Sequence, residues 1–142
     1  MSSTRQAIIN LIKNDATLRA LGVAAAQVLT PGRITVSTPS PWISVERGRL
    51  IPIGRHRPFY TELWDIKVGY SAQSRGGSRW VETDSICDRI RELVSGATLD
   101  VADGYIWEFE WISTFGDSRD MILQVDYRVE RFAAYRTTSY RP

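Results

Sequence analysis

A chain of 142 residues is long enough to fold as one domain around a real hydrophobic core. Its 18 Lys and Arg against 16 Asp and Glu leave a net charge of +2, too near neutrality for a dedicated nucleic-acid binder, and no apolar run is long enough to cross a bilayer as a helix. The single cysteine, Cys87, excludes an intramolecular disulfide and any cysteine-cluster metal site, and it fits a reducing cytoplasm.

The opening Met-Ser-Ser-Thr-Arg-Gln lacks the hydrophobic core of a secretory signal. Ser3-Thr-Arg-Gln6 has the spacing of a capping box, and Ala7, Ile8, Leu11 and Ile12 behind it form one helical stripe. Asn14-Asp15 interrupts that stripe and can cap a second short turn, Ala16 to Leu21, closed by Gly22. Val23 to Leu29 fits either an extended segment or a helical turn. Pro31-Gly32 signals a turn, and Ile34-Thr-Val36 is expected as a short strand.

Thr38-Pro-Ser-Pro41 leads in extended form to a strand, Trp42 to Glu46, where proline at the start removes no interior ladder bond. Gly48 to Pro58 reads as a long basic loop marked by Gly and Pro. With Arg49, Arg55, His56 and Arg57 it is a candidate contact segment, since long loops tend to be functional or mobile. Phe59 to Ala72 is the next strand, with Trp64, Ile66, Val68 and Tyr70 alternating against Leu63, Asp65, Lys67 and Gly69. Gln73 to Ser78 breaks it. From Arg79 to Ser95 the period becomes helical, with Trp80, Ile86, Cys87, Ile90, Leu93 and Val94 inward and Arg79, Glu82, Arg89 and Glu92 outward. Ser78 and Gly96 are the expected caps.

After an Asp103-Gly104 turn the chain enters its strongest pattern. Tyr105, Trp107, Phe109 and Trp111 alternate with Glu108 and Glu110. Leu123, Val125, Tyr127 and Val129 then alternate with Gln124, Asp126, Arg128 and Glu130. Two such runs so close in sequence form an antiparallel hairpin. With the odd-numbered residues of both runs on one buried face, the loop must be odd in length, and one centred on Asp117 with Gly116 at positive φ satisfies that. Glu108 then faces either Arg128 or Asp126, and parity leaves both registers open.

These elements predict an α+β fold: a single twisted, mostly antiparallel β-sheet with a long C-terminal hairpin, packed on two main helices. Residues 1–133 form one domain. Residues 134–142, with Tyr135, Arg136 and Tyr140, lack periodicity and read as a flexible tail that orders on contact.

No enzyme signature survives inspection. His56 is the only histidine and lies between two arginines in a polar loop. Cys87 falls on an apolar helix stripe, unsuited to a nucleophile. Ser74-Arg-Gly-Gly-Ser78 outlines an anion nest but lacks the Walker spacing and lysine. Glu108, Glu110 and Arg128 belong to a charged outer face, a surface or an interface. No catalytic residue, metal ligand or cofactor site is expected.

With these residues in place, the chain resembles the tail terminator (tail completion, head–tail joining) proteins of long-tailed phages. The resemblance rests on the opening helix Arg5–Lys13, on Asp15-Ala-Thr-Leu-Arg-Ala-Leu-Gly22 and on Gly32-Arg-Ile34. It continues through the Pro41-Trp-Ile-Ser-Val45 and Leu63–Tyr70 strands, the helix Val81–Val94 and the closing hairpin ending Tyr127-Arg-Val-Glu-Arg-Phe132. The Gly48–Pro58 loop and the tail fall outside it. The resemblance implies a virion protein, made in the host cytoplasm, that forms a ring, typically a hexamer, on the head-proximal end of the tail tube. Such a ring stops tube polymerisation and meets the head connector. Its partners are itself, the tube protein and the connector or stopper, with no membrane and no specific nucleic acid beyond a genome passing through the lumen. Arg49, Arg55 and Arg57 are then expected to touch a neighbour or the tube end, and Tyr135, Arg136 and Tyr140 to dock on a neighbour. Two other readings stand beside it: a head-completion protein sealing the portal channel, and a small nucleic-acid-binding α+β domain using the basic loop.

Overall fold

The computed structural model describes residues 3–52, 59–70, 78–102, 104–123 and 125–138. Three α-helices, α1 (Thr4–Lys13), α2 (Ala16–Ala20) and α3 (Ser78–Ser95), accompany six strands. These are β1 (Val28–Leu29), β2 (Trp42–Pro52), β3 (Phe59–Tyr70), β4 (Leu99–Val101), β5 (Gly104–Asp120) and β6 (Val125–Thr138). The strands make one sheet in the order β1-β2-β3-β6-β5-β4, parallel only between β1 and β2. The mixed α+β class and the single, mostly antiparallel sheet with its long C-terminal hairpin are as the sequence predicts.

Local chemistry places the helices. Ser3 Oγ accepts from the Gln6 amide at 3.2 Å, whereas the Gln6 side chain turns forward to Asn10 Oδ1 at 2.9 Å instead of closing the capping box. Asp15 caps α2 through the Leu18 amide at 2.9 Å, and the chain leaves that helix through Gly22 at φ +97°, a conformation that other residues adopt only with strain. Ala25–Gln27 is a 3-10 turn before β1. Ile34–Val36 is not a strand, because the pairing position beside β2 is taken by Val28 and Leu29.

α1 and α3 cover one face of the sheet. The core between them contains Ile8, Ile12, Ile43, Val45, Ile66, Val68, Ile86, Cys87, Ile90, Ile106 and Phe132. In β3 the expected inward set, Trp64, Ile66, Val68 and Tyr70, is buried. On the opposite face Trp42 packs onto Gly69, where a Cβ would lie 2.1 Å from the indole ring, so only glycine fits beneath it.

The strands depart from expectation in three further ways. First, β2 runs on to Pro52, so Arg49 lies in a strand and not a loop. Pairing with Thr61 and Glu62 through a bulge after Arg47 extends it. Arg55, His56 and Arg57 lie outside the described residues. Second, β6 continues through Thr138, so residues 134–138 belong to the sheet and not to a tail. They pair with β3 on one side and β5 on the other, and Ala134 and Arg136 are buried. Tyr140 lies outside the described residues.

Third, the hairpin turns later than Gly116-Asp117. β5 continues to Asp120, and Asp120 Oδ1 accepts from the amides of Ile122 and Leu123, both at 2.9 Å, making an Asx-type turn. Glu108 consequently faces Tyr135, and neither Arg128 nor Asp126. The inward face of β6 is also reversed: Phe132, Ala134, Glu130 and Arg136 are buried, while Tyr127 and Val129 are only partly covered. Ion pairs fix the inverted parity, since Arg128 reaches Asp84 of α3 and Arg136 reaches Glu62.

Candidate assembly interface

Register shifts interrupt β5 at three places, Ile106/Glu108, Trp111/Ser113 and Phe115/Ser118. A bulge adds a residue to one strand and changes which side chains face inward. Ile106 and Phe109, three positions apart, are therefore both buried, at 0% and 2% exposure. Trp107 is displaced to the face away from the helices. There its ring lies 6.4 Å from Tyr135, tilted by 34°. The aromatic side of β5 is thus not core, as alternation predicted, but is divided between core and surface.

The consequence is an unusual concentration of uncovered apolar groups. Among the described residues the exposed large hydrophobics are Val36 and seven on β5 or its turn, Tyr105, Trp107, Trp111, Ile112, Phe115, Met121 and Ile122. Met121 and Ile122 are 77% and 83% exposed. Clustered apolar exposure of this kind marks interaction surfaces. β4 pairs with β5 only from Gly104 to Ile106, so among the described residues the outer edge of β5 has no partner strand from Trp107 onward. At the far end of the sheet β1 covers β2 only at Ile43 and Ser44.

On the face away from the helices, charges lock the aromatic side chains in place. Tyr135 Oη donates to Glu110 at 2.6 Å, and this bond to a carboxylate holds the phenol above its ordinary pKa, because ionisation would set two negative charges together. Arg131 makes a two-pronged bond to Asp65, at 2.7 and 2.9 Å, while its guanidinium lies 4.6 Å over Phe115. Lys67 sits 4.1 Å over Tyr127 and 3.8 Å from Asp120. Such pairs fix the shape of a polar-and-aromatic surface more than they stabilise it.

On the helix side, Glu130 is fully buried and accepts from Trp111 Nε1 at 2.7 Å and from Thr114 Oγ1. Arg91 stacks on Trp111 at 5.2 Å with its Nε 3.7 Å from Glu130, an ion pair too long for a hydrogen bond. This cluster ties the middle of the hairpin to α3. Beneath it, burial first and Glu130 second push the Cys87 thiol up to about 12, which suits packing and not nucleophilic chemistry.

A cavity of about 510 Å³ opens at the start of α1, between that helix and the ends of β2, β3 and β6. Arg5, Arg47, Glu62 and Arg136 line it. Arg136 is bonded to Glu62 at 2.9 Å and to Thr4 at 2.8 Å. Among the described residues Arg5 meets the ring of Trp64, 6.0 Å away, and its buried Nε has no acceptor. Among the described residues Arg47 has no carboxylate partner.

Of the residues singled out from sequence, Glu108, Glu110 and Tyr135 come together on one surface. Arg128 is separated from them on the helix side, and Arg136 is interior. Met121, Ile122, Ile112 and Phe115 are surface groups that the sequence reading did not single out, Phe115 falling in the expected turn and Ile112 on the outward parity of Glu108 and Glu110. The signal available was Asp120 preceding Met-Ile-Leu-Gln, an Asx turn at the hairpin tip. No group of three or more His, Cys, Asp or Glu that could hold a metal ion occurs among the described residues.

No family model matches the chain, and no curated protein matches it by sequence. Solved structures do match. One is a chain from the virion of a native gene transfer agent (GTA) particle. It superposes with a TM-score of 0.73 over 95% of this chain and 95% of that one, at 13% sequence identity, so the likeness is one of fold over nearly the whole length.

Proposed function

We propose that this chain is a structural protein of a phage-like particle, a tail terminator. In this reading it forms a ring, typically a hexamer, at the head-proximal end of the tail tube, stops tube growth and presents the joining surface to the head connector. The observation that carries the proposal is the fold shared end to end with a virion component of a gene transfer agent. The surface supports it: a bulged, apolar edge strand with a projecting tip offers contact area to neighbours rather than a cleft for a substrate.

Termination works by geometry and mass action. A ring bound to the last tube layer presents to solvent a face that further tube subunits do not recognise. Met121 and Ile122 at the tip are suited to meet the tube or the head side, and Arg55, His56, Arg57 and Tyr140 supply further contacts in the same assembly. Purified chain added to polymerising tube protein should bind one end and shorten the tubes. Unchanged tube lengths with no end-bound chain would reject the proposal.

A further inference from the structure

We infer that the chain carries both halves of one copy-to-copy interface: the acidic edge of β5 around Glu108 and Glu110 docks against the arginine-lined cavity of a second copy, at Arg5 and Arg47. This rests on the ring reading above and specifies which surfaces would close the ring.

The two surfaces lie on opposite faces of one sheet, the glutamates with Tyr135 away from the helices and the arginines on the helix side, and each lacks something the other has. Glu108 is exposed and has no cationic partner among the described residues, while Glu110 is met only by the Tyr135 hydroxyl. Across the sheet, Arg5 and Arg47 have no carboxylate among the described residues, and Arg5 Nε is buried without an acceptor. A carboxylate of a second copy at the mouth of the cavity would pair with exposed Arg47 and with the charge of Arg5 by charge-assisted bonds. Thr4 and Arg5 open α1 at the same cavity, where the helix start adds its own preference for negative charge.

Pairing unlike surfaces sets carboxylates of one copy against guanidiniums of the next, and such a contact repeated around an axis closes a ring. Trp107, 36% exposed beside Glu108 and Tyr135, supplies an apolar anchor for the centre of such a contact. The bulges at Ile106/Glu108 and Trp111/Ser113 limit backbone pairing along the edge, so side chains and not an extended ladder must set the register.

The test uses the full chain with Glu108→Arg, Arg47→Glu and the two combined, each checked for an unchanged far-ultraviolet spectrum and melting curve. Sedimentation over a concentration series measures assembly in solution, and end-bound rings on tubes are counted by microscopy. Each single reversal should raise the half-assembly concentration by about tenfold or more, and the combined variant should recover most of that loss. Wild-type rings that persist in both single variants, or a combined variant no better than either single, would overturn the interface while leaving the terminator reading intact. A wild-type chain that makes no ring, free or on tube ends, would overturn both.

Discussion

Arg136 and Glu62 form an ion pair inside the protein, Nη1 to Oε1 at 2.9 Å, with side chains 2% and 3% exposed. Glu62 also accepts from Trp64 Nε1 at 2.8 Å, and Arg136 also reaches Thr4 of α1. The pair thus joins β3, β6 and the first helix at the rim of the cavity. Removing one partner leaves an uncompensated buried charge, so Arg136→Ala should destabilise the fold by about 3–5 kcal/mol in urea unfolding. Replacing both residues by methionine should do less damage than either single change. An Arg136→Ala variant of wild-type stability would contradict the buried pair.

Asp15 and Arg89 link α2 to α3 by two bonds, at 2.6 and 3.0 Å. The Arg89 guanidinium holds the Asp15 carboxyl below the usual carboxylate range, with the Leu18 amide adding to the effect and partial burial opposing it. A depressed folded pKa stabilises above the unfolded value of about 3.9, and that contribution is lost as pH falls through the folded pKa. Asparagine keeps the cap and loses the ion pair, so Asp15→Asn should cost about 0.5–1 kcal/mol at neutral pH, and the difference from wild type should shrink on acidification below about pH 4. A difference independent of pH would show that the carboxylate charge is not what matters.

Gly69 admits the Trp42 ring, and a methyl group there would sit 2.1 Å from it. Gly69→Ala is expected to lower stability by about 1–3 kcal/mol and to perturb Trp42 fluorescence. Unchanged melting would mean that Trp42 has room to move aside.

Cys87 is completely buried, with its thiol pushed up to about 12. A colourless thiol reagent at pH 8 should leave the native chain unlabelled and react fully once denaturant is added. Rapid labelling of the native chain would place Cys87 at an accessible surface.

The apolar tip separates folding from assembly. Met121→Ser combined with Ile122→Ser removes exposed groups only, so stability should stay within about 0.5 kcal/mol of wild type. Incorporation into particles should fall sharply, as measured by the chain's abundance in purified particles. Full incorporation would release the tip from any role in assembly.

How far the sequence discloses this molecule varies by element. β3 and α3 were legible because each has one buried face and a clean period: Ile66 and Val68 in the strand, Ile86, Ile90 and Val94 in the helix. The caps at Ser3 and Asp15 followed from local hydrogen bonding. The hairpin was recognised, but its turn and faces were not. Gly116-Asp117 imitates a turn, whereas tertiary pairing of Phe115 with Val129 and of Ser118 with Tyr127 carries β5 past it. Bulges are invisible to a strict period of two, and they decide that Phe109 is core while Trp107 is surface. Arg136 was misplaced for a related reason: an arginine late in the chain reads as solvent-exposed until its partner, Glu62, 74 positions away, is known. Glu108 and Glu110 read as outward-facing residues and are exposed, whereas Tyr135, expected in a mobile tail, lies in β6 with its hydroxyl on Glu110, a contact that depends on the pairing of β5 with β6.

The central claim is tested most directly by electron microscopy of particles produced with this gene disrupted. The account predicts overlong tail tubes, or tubes without heads, with normal length restored by supplying the chain in trans. Tails of normal length joined to intact heads would contradict it.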